Sequence, residues 1–376
     1  MREKYFYILK RIYLGFRKHL LHALAALFAR KNLPYLGPGQ DIKKILFIRI
    51  DRIGDIVMST PALKAIKQAF PHSELTVLAS PPNSPLVFNN PNIDHIVVYD
   101  RRGSLIDRIR VIQKLRESSF DLAIDPYADY ELETALIAFF SGAKRRTGYA
   151  SYGREVFFNL PAPEIRSNRH FIDLTLDVLK PVGIVTKDKT PEIYLTDDEK
   201  KWAGDWLNKN GLGRNPVIGM HPGASYETQR WPPERFAELA DLLQVDKKLD
   251  VIIFGGPDDE HLVNRICSIL HGEVTAYIAH DLRKLAALIS CCHVFVCNNS
   301  GPLHMSVAIG TPTISFMGPT IKERWMPLGD IHTILRIDDL PCIGCNKGYC
   351  KINTHDCMRL IPSSMVMEAV GNLMRK

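Results

Sequence analysis

Arg49, Asp51, Arg52, Gly54 and Asp55 crowd one short turn, "RIDRIGD", directly behind the apolar run "KKILFIRI". Charge at the end of a buried strand is costly for packing and useful for chemistry. A carboxylate here can take a proton as a general base, or cap the helix that follows. Three more segments are loaded in the same way. "HPGASYETQRWPPERF" places hydroxyls and Arg230 ahead of Pro232 and Pro233, which begin a helix. "FGGPDDE" sets two glycines before Asp258 and Asp259, and "CNNSGPLH" opens a helix from Asn299, Ser300 and Gly301. A helix amino terminus with glycines and hydroxyls is suited to phosphate. A fifth segment carries Cys342, Cys345, Cys350 and Cys357 as C-x2-C-x4-C-x6-C, with Gly344 and Gly348 between them. Four thiolates so spaced can close on one tetrahedral metal ion, with zinc and iron equally compatible. His355 could replace one of them, and reduced free thiols are the plain alternative.

Elements of alternating type must position these residues. "KKILFIRI", "ELTVLAS", "HIVVYD" and "DLAIDPY" have strand length and near-continuous apolarity, with helices over 56–70 and 105–117 between them. A second series runs through "NPVIGMHPG", "LDVIIFGG", "HVFVCNNSG" and "TPTISFMGPT", with helices near 233–244, 259–270, 282–290 and 302–309. Apolar strands separated by helices imply parallel sheets covered on both faces. Two such blocks, joined by a polar stretch around 187–210, predict an α/β chain of two doubly wound, Rossmann-like domains facing a cleft. Ligands then belong at the carboxyl ends of the strands.

The chain has 376 residues, 46% hydrophobic and 24% charged, with a formal charge of +7. That describes a globular protein with anionic partners, and no apolar stretch reaches the ~20 residues of a membrane span. Eight cysteines without a secretory signal point to a reducing compartment. Residues 1–31 hold Arg2, Lys4, Lys10, Arg11, Arg17, Lys18, Arg30 and Lys31 against one acid, Glu3. The 3/4, 10/11 and 17/18 pairs form one stripe of a helix, with Tyr5, Phe6, Leu9, Ile12, Tyr13, Phe16 and Leu20 largely opposite. The pattern predicts a helix lying in a membrane interface; a helix packed on the protein's own surface is the alternative. "LPYLGPGQD" follows as a linker. Cys267, Cys291, Cys292 and Cys297 fall in apolar contexts and read as core.

The motifs "ILFIRIDRIGDIVMSTPALKAIKQAFP", "HPGASYETQRWPPERFAELADLL", "VIIFGGPDDE" and "CNNSGPLHMSVAIGTPTISFMGPT" resemble glycosyltransferase family 9, the lipopolysaccharide heptosyltransferases, over about residues 43–320. The resemblance implies the GT-B architecture and inverting transfer with no required catalytic metal. The sugar donor is a nucleotide diphosphate, typically ADP-heptose. The acceptor is a lipopolysaccharide core or other lipid-linked saccharide at the cytoplasmic face of the inner membrane. With the patterns at the two ends, the chain is expected to divide into a basic amphipathic helix and linker over 1–40, an acceptor-binding domain over 41–185, a nucleotide-sugar-binding domain with the cysteine cluster over 186–360 and a terminal helix over 361–376. Asp55 matches the family's catalytic base, with Arg49, Asp51 and Arg52 toward the acceptor. Ser225, Thr228, Arg230, Asp258, Asn299, Ser300, Gly301 and His304 match the donor side. Some members hold iron in a comparable cysteine finger. No nucleic acid is implied.

Two positions depart from the family. Gln229 stands where a lysine usual to the family would supply charge to the phosphates, and Asn299 stands where an aspartate helps hold the sugar. An amide still forms hydrogen bonds but carries no charge. Two other functions stay open at this point: a nucleotide-sugar epimerase of the same architecture, and a non-catalytic relative that binds saccharide at a lipid surface. No G-x-G-x-x-G follows any strand, which disfavours a dinucleotide-dependent dehydrogenase.

Overall fold

The computed structural model describes residues 2–27, 33–35, 41–162, 169–247 and 249–375. They divide into two compact units, Met1–Lys189 and Thr190–Lys376.

The first unit holds six strands, β1 Lys44–Arg49, β2 Glu74–Ala79, β3 His95–Val98, β4 Leu122–Asp125, β5 Arg145–Tyr149 and β6 Leu160–Ala162. They pair in parallel in the order β3-β2-β1-β4-β5-β6. Ile45, Leu46, Phe47 and Ile48 of β1 are fully buried, as expected of an unbroken apolar strand covered on both faces. The helices are α1 Arg2–Leu27, α2 Ile53–Val57, α3 Thr60–Ala69, α4 Leu105–Glu117, α5 Glu133–Phe140 and α6 Phe171–Asp177. The single helix expected over 56–70 is broken at Met58 and Ser59. The Ser59 hydroxyl takes the carbonyl of Asp55 at 2.6 Å and that of Thr60 takes Val57 at 2.8 Å, while Pro61 restarts the helix.

Helix α1 packs through Leu14 and Arg17, both buried. Arg17 Nη2 donates to the carbonyl of Tyr152 at 2.8 Å, His22 meets Glu155 at 2.9 Å, and the Lys10 ammonium lies 3.7 Å from the centre of the Tyr130 ring. Gly153 has φ +88, and a Cβ there would meet Leu21 at 3.0 Å and the Lys18 backbone at 3.1 Å. The helix therefore sits on its own unit, yet Leu9, Ile12, Tyr13, Phe16 and Leu20 remain exposed. The side chains of residues 2–8 and 11, residues 28–32, and residues 36–40 of the expected linker lie outside what is described. No helix among the described residues is long and apolar enough to cross a membrane.

The second unit repeats the design with β7 Val217–His221, β8 Asp250–Gly255, β9 Thr275–Ile278, β10 Val294–Asn298, β11 Thr313–Phe316 and β12 His332–Leu335, in the order β12-β11-β10-β7-β8-β9, all parallel. Its helices are α7 Asp197–Lys209, α8 Pro233–Lys247, α9 Glu260–Ile269, α10 Leu282–Ser290, α11 Gly301–Ile309, α12 Lys322–Trp325, α13 Asp356–Arg359 and α14 Ser363–Leu373. Much of the polar stretch read as a joint is α7. Thr196 and Glu199 close a capping box at its start, and Glu199 also binds the buried Arg283 of α10 at 2.6 Å. In each sheet the strand order reverses at one place, between β1 and β4 and between β7 and β10. Those switch points are where doubly wound sheets bind ligands.

Candidate active site

Asp55 lies at the first switch point, in the first turn of α2 behind β1. Gly54 and Asp55 are buried, while Arg52 is exposed. The Asp55 carboxylate accepts the Arg52 backbone N–H at 3.3 Å, so the capping role open to it in sequence is realised. A cap alone does not account for its electrostatics. Burial pushes its carboxyl up to about 7 and the charge of Asp51 adds to the effect, against the opposing pull of Arg49 and Arg52. A carboxylate titrating near neutrality is suited to taking a proton.

Arg49 is inside the fold. Its guanidinium donates to Asp51 Oδ2 at 2.9 Å, to Ser59 Oγ at 2.9 Å and to Thr175 Oγ1 at 3.2 Å, above the Phe171 ring. The same Ser59 hydroxyl holds the Asp55 carbonyl, so Asp51, Arg49, Ser59 and Asp55 form one chain of contacts. Asn83 Nδ2 reaches the carbonyls of Arg49 and Asp51 at 3.2 and 3.3 Å, fixing the turn. Asp125 and Arg154 form a second, wholly buried ion pair at the end of β4, and Arg154 also donates to the Tyr127 carbonyl. Asn83, Thr175 and Arg154 escaped the sequence reading because each lies far along the chain from the turn, and Ser59 escaped it because its place beside Arg49 depends on the break between α2 and α3.

In the second unit, Asn298 at the end of β10 ties down the loop behind β7. Its Oδ1 accepts the Trp231 N–H at 2.9 Å and its Nδ2 donates to the Pro222 carbonyl at 2.7 Å. Ser225 is exposed within that loop, and Arg230 folds back to donate to the Ala224 carbonyl at 3.0 Å. Thr228 is buried, its hydroxyl given to the Lys347 carbonyl at 2.8 Å, and Gln229 is half-buried. Asn299 donates to Thr320 Oγ1 at 3.1 Å, and its own Oδ1 is buried with no partner among the described residues. Ser300 precedes α11 without capping it by its side chain, Gly301 begins the helix, and His304 is buried within it near Trp325. The loop and helix start together offer hydroxyls, a guanidinium and backbone N–H groups of the kind that receive an anion.

Asp258 is exposed, and its neighbour Asp259 is the one turned inward. The Asp259 carboxylate accepts the Gly256 N–H at 3.4 Å and stands 3.7 Å from His221 Nε2. A Cβ on Gly223 would lie 2.3 Å from its Oδ2. Burial holds the His221 imidazole below its ordinary range despite that carboxylate. Asp259 was missed because sequence alone does not tell which of two adjacent acids faces in.

The four cysteines share the segment between β12 and α14, Cys342, Cys345 and Cys350 in its loop and Cys357 in α13. Burial, then the thiols of Cys342, Cys345 and Cys350, push Cys357 up to about 11. Cys350 is held low by backbone N–H groups, that of His355 first and then those of residues 352–354. Asn346, Asn353 and His355 take positive φ, which tightens the turns around the thiols. Among the described residues no group of three or more His, Cys, Asp or Glu is arranged to hold a metal ion. The four thiols as a donor set suit a soft metal. Cys292 and Cys297 are buried in the core, and Cys267 and Cys291 partly so.

A family model described as "Glycosyltransferase family 9 (heptosyltransferase)" matches residues 108–355. "Lipooligosaccharide heptosyltransferase 2" of Haemophilus influenzae is 28% identical over 355 residues, covering 88% of this chain and 99% of that protein. Among solved structures, a family 9 glycosyltransferase from Veillonella parvula superposes with a TM-score of 0.80 at 23% identity, over 90% of this chain and 99% of that one. The Escherichia coli ADP-heptose lipopolysaccharide heptosyltransferase II superposes with a TM-score of 0.72 at 23% identity, over 88% and 98%. Both likenesses establish the fold, a pair of Rossmann-like sheets of the GT-B kind.

Proposed function

Because the chain belongs to glycosyltransferase family 9, we propose that it transfers heptose, or a related sugar, from ADP-heptose to a lipopolysaccharide core or other lipid-linked saccharide, with inversion. It is a sugar-transferring enzyme by family; the donor, the acceptor and the residue roles are our reading. Asp55 takes the proton of the acceptor hydroxyl as that oxygen forms its bond to the anomeric carbon. The bond from that carbon to the diphosphate breaks, and ADP leaves with the electron pair. Arg230 and the first turn of α11 receive the charge that develops on the leaving group. Gln229 adds none, so the positive charge that the family's lysine would share falls to Arg230. Asn299 offers to a sugar hydroxyl its Oδ1, which has no partner among the described residues, where the usual family residue offers a carboxylate. The observation that carries this reading is a buried aspartate at a strand-order switch point with its carboxyl raised to about 7.

The exposed apolar row of α1 and the basic excess of residues 1–31 support a peripheral position on an anionic membrane, at the cytoplasmic face of the inner membrane. Four thiols in one loop support a structural zinc or iron at Cys342, Cys345, Cys350 and Cys357; when bound it would cross-link that loop. Metal analysis of protein purified without added metal tests this, with near one equivalent expected and lost in Cys345→Ser. Four freely titratable thiols and no metal would reject it.

The deciding experiment follows ADP release and sugar product from ADP-heptose with and without a lipid-linked core acceptor. Transfer only with acceptor is expected. Isomerised sugar without acceptor would make the protein an epimerase, and binding without turnover would make it a non-catalytic relative.

A further inference from the structure

The strands of the second sheet all run parallel, so the loops behind β7, β10 and β11 leave one edge side by side. Residues 344–347 of the cysteine segment cross that edge. At one end the Gly344 and Asn346 N–H groups donate to the carbonyls of Gly318 and Pro319, behind β11, at 3.1 and 2.7 Å. At the other end the Lys347 carbonyl accepts the Thr228 hydroxyl, behind β7, at 2.8 Å. Strand β10 stands between β11 and β7, so the crossing passes its end, where Gly301 begins α11. Lys347 is thereby tied to the turn over 222–231 at the strand-order switch point of this sheet. Its side chain is half-buried there.

The turn itself is short of positive charge. Residues 222–231 hold one base, Arg230, against one acid, Glu227. Arg230 also gives Nε and Nη2 to the Ala224 carbonyl at 3.2 and 3.0 Å. Asp259 adds a carboxylate beside Gly223, and burial holds the His221 imidazole low, which leaves it neutral. Of the bases near the crossing, Arg336 is held by the Met317 and Thr320 carbonyls and by Asp338. Lys322 and Arg324 of α12 make no hydrogen bond or ion pair with the turn among the described residues. A departing diphosphate gathers negative charge that one guanidinium offset by acids receives poorly. We propose that the Lys347 ammonium is the second cation for the donor's diphosphate, brought over the turn by the cysteine segment and standing in for the charge that Gln229 does not carry. A lysine suits that place, because it binds phosphate as a point charge on a flexible stem. This inference rests on the proposed nucleotide-diphosphate donor.

The test is titration calorimetry on the full chain with ADP as the probe. Lys347→Gln should weaken ADP at least about tenfold at unchanged melting temperature. Lys351→Gln, at an exposed lysine four residues on, should bind ADP as the wild type does. Gln229→Lys should tighten ADP at least about threefold more in the Lys347→Gln chain than in the wild type, because the charge it supplies is missing only there. Lys347→Arg, which keeps the charge, should hold the wild-type affinity. ADP bound by Lys347→Gln as tightly as by the wild type would overturn the inference and leave the donor reading standing. A loss that Gln229→Lys does not recover, or that Lys347→Arg shares in full, would assign Lys347 to packing of the segment and overturn it too. A wild-type chain that binds no ADP would overturn the donor reading of the turn, and this inference with it.

Discussion

Asp51 gives one carboxylate oxygen to Arg49 Nη1 at 2.9 Å and keeps the other buried without a hydrogen-bond partner among the described residues. A buried carboxylate half satisfied in this way acts on its neighbours by charge, and Asp55 is the neighbour it raises.

Replacing Asp55 by Asn should leave ADP binding intact and lower kcat at least ~100-fold, the lower range for losing a general base. In the wild type, kcat/KM should fall as pH drops through about 7, because the protonated carboxyl cannot accept the acceptor's proton. A flat profile between pH 5 and 8 would remove Asp55 from the role.

Asp51→Asn takes away a like charge, so the acidic limb of that profile should move to lower pH. A variant that lost activity at every pH with the limb unmoved would show that Asp51 serves only to hold Arg49.

Stability should carry the same signature with its own sign. A carboxyl raised to about 7 in the fold holds its proton where the unfolded chain, near 3.8, has lost it. The native state is therefore favoured at low pH, and this contribution is lost as pH rises from about 4 to 7. Asp55→Asn has no such loss, so its melting temperature should gain on the wild type across that window. Equal shifts of both proteins with pH would contradict the buried charge.

Asp125→Asn should cost about 3–5 kcal/mol in denaturant unfolding, because it leaves Arg154 charged inside the fold. Asp125→Leu combined with Arg154→Met should recover much of that loss. If the single and double variants are equally unstable, the pair matters for packing and not for charge.

Gly223→Ala would drive a methyl into the Asp259 carboxylate at 2.3 Å. Weaker ADP binding with little change in kcat is expected from titration calorimetry and kinetics. Unaltered affinity would place the nucleotide away from this turn.

Much of the fold was legible because β1, β2, β4, β7, β8 and β10 are apolar runs, which a doubly covered parallel sheet requires. β5 was not read as a strand, since Arg145-Arg146-Thr147-Gly148-Tyr149 has no apolar run. Its Arg146 is buried all the same, donating to the Phe157 and Ala143 carbonyls at 2.8 and 2.7 Å. β9 and β12 are short edge strands only partly buried, so little in their composition distinguishes them from loops. Within the site, Asp55 stood out by its place after Gly54. The burial of Arg49 did not, because its partners Ser59 and Thr175 are set by tertiary packing, 10 and 126 residues away.

The Thr228 hydroxyl reaches the Lys347 carbonyl across 119 residues of sequence, and Gly348 lies so close to the Tyr226 ring that a Cβ there would meet it at 2.9 Å. The cysteine loop is therefore the backing of the segment read as the phosphate-binding turn. Oxidants or thiol reagents acting on that loop would register as a changed KM for the nucleotide sugar, with kcat at saturation held. Thiol chemistry some distance along the chain would in this way govern how much donor the enzyme needs.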